Sequence, residues 1–107
     1  MTDFAFRVTE NSDGPVVLLK GDLDLNAVPQ LAQCLGDHTS ESVTLDLSDV
    51  TLIDTTAIGV LVGAYNQAIA DGGSINLHGV QSAQMIVFGL AGVANYMDLY
   101  GDDAAAL

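Results

Sequence analysis

The sequence has almost no positive charge. Among its 107 residues, 2 are Lys or Arg and 14 are Asp or Glu, which gives a formal net charge of -12. A nucleic-acid-binding surface needs basic side chains to neutralise phosphates, and docking on an anionic membrane needs them as well. We therefore expect neither a nucleic-acid partner nor a membrane partner.

Several other features of known protein classes are missing. The sequence contains 1 cysteine, Cys34, which excludes an internal disulfide and a zinc site built on several cysteines. It has no apolar run of about 18 residues, and its N-terminal segment lacks the basic and apolar regions of a signal peptide. These absences predict a soluble, cytoplasmic protein. The length predicts a single domain over residues 1–107, with a frayed tail at 102–107.

The acidic residues are distributed unevenly. Ten of the 14 precede Thr55, and Asp71 is the only charged residue between Thr55 and Met97. Half of all residues are hydrophobic, so the chain has enough apolar side chains for a core. The nearly uncharged stretch indicates burial, a partner surface, or both.

Short strands alternate with helical segments along the chain. Apolar residues at every second position predict strands, and those at every third or fourth position predict helices. Strands are predicted at 4–8, 16–20, 42–47 and 74–78, the first two as an antiparallel hairpin, with a short final element at 95–99. Helices are predicted at 27–35 after an Asn26 N-cap, from Thr55 or Thr56 to Asp71, and at 83–90 after a Ser82 N-cap. Strands separated by helices form βαβ units, so the predicted fold class is α/β.

The second predicted helix has one apolar face. Spacings of three and four residues place a set of large apolar side chains on that face, which we expect to be buried. The set consists of Ile58, Leu61, Val62, Tyr65 and Ile69.

The junction between the third strand and the second helix combines a carboxylate with two hydroxyls. Asp54, Thr55 and Thr56 stand where backbone amides are unpaired and the helix dipole favours negative charge. A structural interpretation makes Asp54 or Thr55 the N-cap of the helix. A functional interpretation makes Thr55 or Thr56 a phosphate acceptor, since a phosphate is accommodated at this position without melting the helix.

Three linked segments resemble the STAS domain of bacterial anti-sigma factor antagonists. They are Gly21–Asp24, Asp46–Ser48 and Ile53–Leu61, and the last resembles the family pattern Asp-Ser-(Ser/Thr)-Gly-(Leu/Ile)-Gly. The resemblance extends over nearly the whole chain. It implies a mixed sheet of four to five strands with helices packed on one side.

The resemblance also implies a function for the helix start. In the family, an anti-sigma factor that is a serine/threonine kinase phosphorylates the residue after the Asp, which here is Thr55. Two positions depart from the pattern, since Thr55 replaces the commoner Ser and Ala57 replaces Gly. The expected protein is a non-enzymatic antagonist that binds the kinase, releases a sigma factor, and is switched off by phosphorylation. A separate protein phosphatase would reset it.

The expected partner surface surrounds this phosphorylation site. It combines acidic residues at the ends of predicted strands with hydroxyls and small side chains along the second helix. The expected contact residues are Asp22, Asp24, Asp54, Thr55, Thr56, Ala57, Val60, Gly63 and Ala64.

Other functions remain as alternatives at this stage. The chain could be an unmodified STAS subunit of another assembly, such as a lipid-transport complex. Asp22 and Asp24 could hold a divalent metal in a phosphotransfer enzyme, but the single lysine, Lys20, does not lie downstream of them as such enzymes require. No Gly-rich phosphate loop is present. We therefore expect no bound cofactor, no metal and no enzymatic activity.

Overall fold

Five strands form one sheet, and two α-helices connect the strands in its middle. The computed structural model describes residues 3–82, 84, 88 and 98–101. The strands are β1 (Ala5–Asn11), β2 (Gly14–Leu23), β3 (Ser42–Ile53), β4 (Ser74–Val80) and β5 (Asp98–Gly101). The helices are α1 (Val28–Gly36), preceded by the 3-10 turn Leu25–Ala27, and α2 (Thr55–Ala70).

The order of the strands in the sheet follows their order in the chain, β1-β2-β3-β4-β5. β1 pairs antiparallel with β2 through a tight turn, in which the Asn11 side chain accepts a hydrogen bond from the Asp13 amide at 2.9 Å. The other neighbouring strands are parallel, and the β2–β3 and β3–β4 connections therefore need α1 and α2 as crossovers. The predicted mixed α/β sheet is confirmed.

One face of the sheet is buried beneath the helices. Alternate residues of the central strands are at most 3% exposed, as are helix residues Leu31 and Leu61 that pack on them. These strand residues are Val17, Leu19, Val43, Leu45, Leu47, Ile75 and Leu77. Burial of this single alternating set places both helices on one side of the sheet, as expected.

The opposite face of the sheet is polar and partly open. Arg7 pairs in register with Leu18, and Lys20 with Asp49, so both cations of the sequence lie on this face. The helix side of the sheet therefore carries neither of the two Lys and Arg residues of the sequence.

Several predicted boundaries were wrong. The first helical segment begins at Leu25, and Asn26 lies inside the 3-10 turn, which is capped by Asp24. β3 continues six residues beyond the predicted end at Leu47, to Ile53. Ser82 is itself helical, which excludes it as the N-cap, while most of the predicted helix 83–90 lies outside the described residues. The final strand, Asp98–Gly101, lies slightly later than predicted, and residues 102–107 lie outside the described part.

The predicted apolar face of α2 is partly right. Ile58 and Leu61 are buried, and Val62 and Tyr65 are partly buried, but Ile69 is 53% exposed. Ala57 and Ala68 are buried instead, so the buried face of α2 includes small side chains that the prediction left out. Neither described helix combines the length and apolar composition that a membrane span requires.

Candidate functional site

The candidate site lies at the carboxyl ends of β2 and β3. The two strands end side by side, with Leu23 paired to Ile53. β2 leads into the 3-10 turn with Asp24, and β3 leads through Asp54 into α2. Parallel pairing therefore brings together acidic segments that are about thirty residues apart in sequence.

Asp54 holds the two segments together. It is the N-cap of α2, with an extended backbone (φ -113°, ψ 173°), and its Oδ1 accepts a hydrogen bond from the Ala57 amide at 3.0 Å. Its Oδ2 accepts a hydrogen bond from the Leu25 amide at 3.2 Å, and its own amide donates to the Leu23 carbonyl at 3.1 Å. Asp54 is therefore the N-cap of α2, as the structural interpretation of the junction predicts. Its carboxylate accepts hydrogen bonds both from the start of α2 and from the segment that follows β2.

Thr55 is the first residue of α2 and is exposed, as is Thr56. Because Asp54 performs the capping, the Thr55 hydroxyl is not the capping group of the helix. The hydroxyl therefore lies at the surface, on the positive end of the α2 dipole.

Asp22 and Asp24 border the site on the β2 side. The Thr51 hydroxyl donates to Asp22 Oδ1 at 2.6 Å, and Asp24 Oδ1 accepts from the Asn26 amide at 3.0 Å. A cavity of about 480 Å³ lies beside them, lined in part by Asp3 and Phe4. Among the residues that the structure describes, no three His, Cys, Asp or Glu side chains are placed to hold a metal ion.

The outer face of α2 is lined by small residues. Gly59 and Gly63 are exposed, and a β-carbon added at either glycine would meet no atom within 4 Å apart from its adjacent residues and the backbone of α2. Val60 and Ala64 are half-buried, and with Gly63 they line a groove of about 200 Å³ between α1 and α2. The fold itself therefore gives no reason for the two glycines.

Ala57 does not belong to this outer face. Its side chain is 0% exposed and packs in the core, which corrects its assignment to the expected partner surface. The α-helical periodicity explains the difference, since Ala57 lies one residue before Ile58 and four before Leu61, both buried. The remaining predicted contact residues are half-buried or exposed around the site.

The Asp46–Ser48 segment forms a separate local structure. Asp46 Oδ1 accepts hydrogen bonds from the Ser48 amide at 2.9 Å and from the Ser48 hydroxyl. Gly79 lies against this turn with a φ of 68°, and a side chain there would come within 2.9 Å of the Ser48 amide. This arrangement gives Asp46 and Ser48 a structural role in the path of β3.

Two glutamines that we did not predict hold the end of β3. The pairing of β3 with β4 ends at Asp46, and beyond it Gln81 Nε2 donates to the carbonyls of Ser48 at 3.2 Å and Val50 at 2.8 Å. The buried Gln84 side chain also donates to the Val50 carbonyl, at 3.1 Å, and accepts from the Gln81 amide at 3.3 Å. The bond from the Gln81 amide to the Gln84 side chain has the geometry of one half of a capping box, but Gln81 is not the Ser or Thr that makes this pattern recognisable in a sequence.

Cys34 lies apart from the site. It is 4% exposed in α1, and burial together with the nearby Asp37 raises the pKa of its thiol. The protonated thiol behaves as a small apolar group, so Cys34 contributes to the packing of α1.

Comparisons with known proteins agree on one family. Residues 6–100 match the family described as "Mlab, STAS domain". The sequence is 27% identical over 94 residues to the anti-sigma-B factor antagonist of Bacillus subtilis (strain 168), covering 86% of each chain.

Solved structures show the same fold. An anti-sigma factor antagonist from Mycobacterium paratuberculosis superposes with a TM-score of 0.82 at 21% identity, covering 97% of this chain and 92% of that one. The Bacillus cell fate determinant SpoIIAA in its phosphorylated form gives a TM-score of 0.70 at 20% identity, covering 95% and 96%. At this level of identity the structures establish the architecture of the chain.

Proposed function

The chain belongs to the STAS domain family, and from this premise we propose that it is a cytoplasmic anti-sigma factor antagonist switched off by phosphorylation at Thr55. It would bind an anti-sigma factor of the serine/threonine kinase type and thereby release a sigma factor. The observation that carries the proposal is an exposed Thr55 at the first position of α2, directly after the capping Asp54. The name of the Bacillus subtilis relative and the phosphorylated SpoIIAA structure support it.

The proposed contact surface follows from the exposed groups around Thr55. Asp22, Asp24 and Asp54 supply its acidic border, and its second part runs along the outer face of α2. That part consists of Thr56, Val60, Gly63 and Ala64. A partner that fits this surface has a basic region opposite the carboxylates and a close-packing segment opposite the glycines.

The switch has a simple electrostatic basis. A phosphoryl group adds a charge of about -1.5 to -2 at neutral pH. On Thr55 it would lie next to the Asp54 carboxylate, whose Oδ1 already accepts the Ala57 amide. The phosphoryl group would therefore not replace the Asp54 carboxylate as the helix cap. Its charge would remain at the surface that contacts the partner.

The consequence for binding is large. An uncompensated charge buried in an interface weakens binding by about 2–5 kcal/mol, which corresponds to roughly 30- to several-thousand-fold in affinity. No rearrangement inside the domain is required. In this proposal the protein is a regulated binding module without catalytic activity of its own. A protein phosphatase would remove the phosphoryl group and restore binding to the partner.

The proposal is tested by capturing partners from a cell lysate on the wild-type protein and on Thr55→Glu. Wild type is expected to retain an ATP-binding anti-sigma factor that Thr55→Glu does not retain. The retained protein, incubated with wild type and ATP, is expected to add the mass of one phosphoryl group, as intact-mass spectrometry would show. Thr55→Val should gain none, while Thr56→Val serves as the matched control and should still be modified.

Two results would contradict the proposal. Equal capture of the same partner by wild type and Thr55→Glu would mean that Thr55 is not a switch. Modification of Thr55→Val but not of Thr56→Val would place the acceptor at Thr56. The first result would favour the alternative of an unmodified STAS subunit in another assembly.

A further inference from the structure

Thr51 and Asp22 form a hydrogen bond that connects the ends of two neighbouring strands. Thr51 Oγ1 donates to Asp22 Oδ1 at 2.6 Å, although the residues are 29 positions apart in the sequence. The distance is typical of a charge-assisted bond from a hydroxyl to a carboxylate. Thr51 is exposed and Asp22 is half-buried, so the bond lies at the surface of the candidate site.

The backbone at Asp22 is irregular. The pairing of β2 with β3 shifts register between Gly21 and Asp22, so that Gly21 pairs with Val50 but Asp22 pairs with Leu52. Such irregularities change the direction of the side chains that follow them. Thr51 lies between Val50 and Leu52 and has no register partner on β2 because of this shift. Its side chain is placed beside Asp22.

A second hydrogen bond, from a backbone amide to a carboxylate, connects the segments that follow the same two strands. Asp54 Oδ2 accepts from the Leu25 amide at 3.2 Å and so fixes the segment after Asp24 to the start of α2. The Asp54 bond holds the backbone of the acidic segment, while the Thr51 bond holds the carboxylate of Asp22. The two bonds together fix the acidic border relative to Thr55.

From this geometry we infer that Thr51 is a positioning residue for partner binding. Its hydroxyl holds the Asp22 carboxylate in the orientation that a basic group of the partner contacts. The inference rests on the proposed function, because it assigns Thr51 a role in the same interface. Thr51 acts through Asp22 and need not touch the partner.

Removing the hydroxyl should weaken binding without unfolding the protein. Valine has nearly the shape of threonine and suits a strand, so Thr51→Val should keep the fold. In Thr51→Val the Asp22 side chain loses one orienting hydrogen bond, and restricting its motion on binding costs an amount that corresponds to about 2- to 10-fold in affinity. We expect this loss for Thr51→Val and wild-type affinity for Thr51→Ser, which keeps the hydroxyl.

The test measures the affinity of each variant for the purified anti-sigma factor by isothermal titration calorimetry. Thr44→Val, the same change farther back on β3, is the matched control and should bind like wild type. The decisive measurement is a double-mutant cycle with Asp22→Ala. If Thr51 acts through Asp22, Thr51→Val should have no further effect in the Asp22→Ala background. Thermal unfolding of each variant checks that the fold is kept.

The outcomes separate this inference from the proposal on which it rests. Wild-type affinity of Thr51→Val, or additive losses in the cycle, would overturn the positioning role while leaving the proposed function intact. Failure of wild type to bind any anti-sigma factor would overturn both. A loss in Thr51→Ser equal to that in Thr51→Val would also contradict the inference, because the hydroxyl would then be irrelevant.

Discussion

At the scale of single residues, Asp54 has two roles that its position in the sequence does not reveal together. One oxygen caps α2 through the Ala57 amide, and the other accepts from the Leu25 amide of the neighbouring loop. Capping by Asp was expected from the residue type, because Asp is among the preferred N-caps. The second bond was not predicted, since it depends on the parallel pairing of β2 and β3.

Replacing Asp54 should destabilise the protein measurably. Asp54→Ala removes both bonds, and we expect a decrease of about 1–2 kcal/mol in the free energy of unfolding, as for loss of an N-cap. Asp54→Asn keeps an acceptor for one amide and should lose less. Urea denaturation at neutral pH measures the free energy of unfolding of both variants. Asp49 has an exposed carboxylate on the open face, and the control Asp49→Ala should change this free energy by less than about 0.5 kcal/mol. Wild-type stability of Asp54→Ala would show that the capping geometry does not contribute.

At the scale of secondary-structure elements, α2 carries glycines that weaken it. Gly63 is in the exposed interior of the helix, where glycine is less favourable than alanine by about 0.5–1 kcal/mol. A β-carbon at this position would meet no atom within 4 Å apart from its adjacent residues and the backbone of α2. Packing within the chain therefore does not require this glycine, and we expect it to allow close approach of the proposed partner.

Gly63→Ala should consequently have opposite effects on folding and on binding. Thermal unfolding should show a more stable protein, while calorimetry with the proposed anti-sigma factor should show weaker binding, because the added methyl group occupies the contact surface. A variant that is more stable and binds as well as wild type would remove Gly63 from the interface. Lower stability would show that the helix needs glycine for an internal reason.

The elements themselves were largely predictable, and their boundaries less so. Alternating apolar residues located β3 and β4, a continuous apolar run located β2, and the turn residues located the β1–β2 hairpin. The second half of β3 was missed because Ser48, Asp49 and Thr51 interrupt the alternation with polar side chains. Its carbonyls are bound in part by Gln81 and Gln84, which lie more than thirty positions away, and no local pattern contains that information.

The same limit applies to the candidate site. The location of Asp54 and Thr55 at a helix start follows from local sequence, whereas the Thr51–Asp22 bond depends on a register shift between two strands. The assignment of Ala57 to the surface was wrong because its small side chain gives no clear signal of which helix face it occupies. Its burial depends on how α2 packs into the core, which the local sequence does not contain.

At the scale of the whole molecule, charge is the dominant feature. The net charge is -12, and both cations lie on the open face of the sheet. We therefore expect the carboxylates at the carboxyl ends of the strands to attract the basic region of the proposed partner over a distance of about one Debye length.

Association with the proposed partner should consequently depend on salt. We expect the association rate to fall about tenfold or more as ionic strength rises, with little change in the dissociation rate. Stopped-flow measurements over a salt series would test this. The double variant Asp22→Asn/Asp24→Asn should reduce the dependence of the association rate on ionic strength. The control Asp13→Asn/Asp37→Asn removes the same charge away from the site and should reduce this dependence less. Equal dependence on ionic strength for the two double variants would assign the attraction to net charge alone.

The consecutive order of the strands has a consequence for synthesis of the chain. Each strand pairs with the one that precedes it in sequence, so a nascent chain leaving the ribosome can extend the sheet at one edge without inserting a strand between two that are already paired. The segments that form the Thr55 site are all present once residue 70 has emerged, and Gln81 and Gln84 follow shortly afterwards. The surface proposed to bind the partner is therefore among the first parts of the protein that can be assembled.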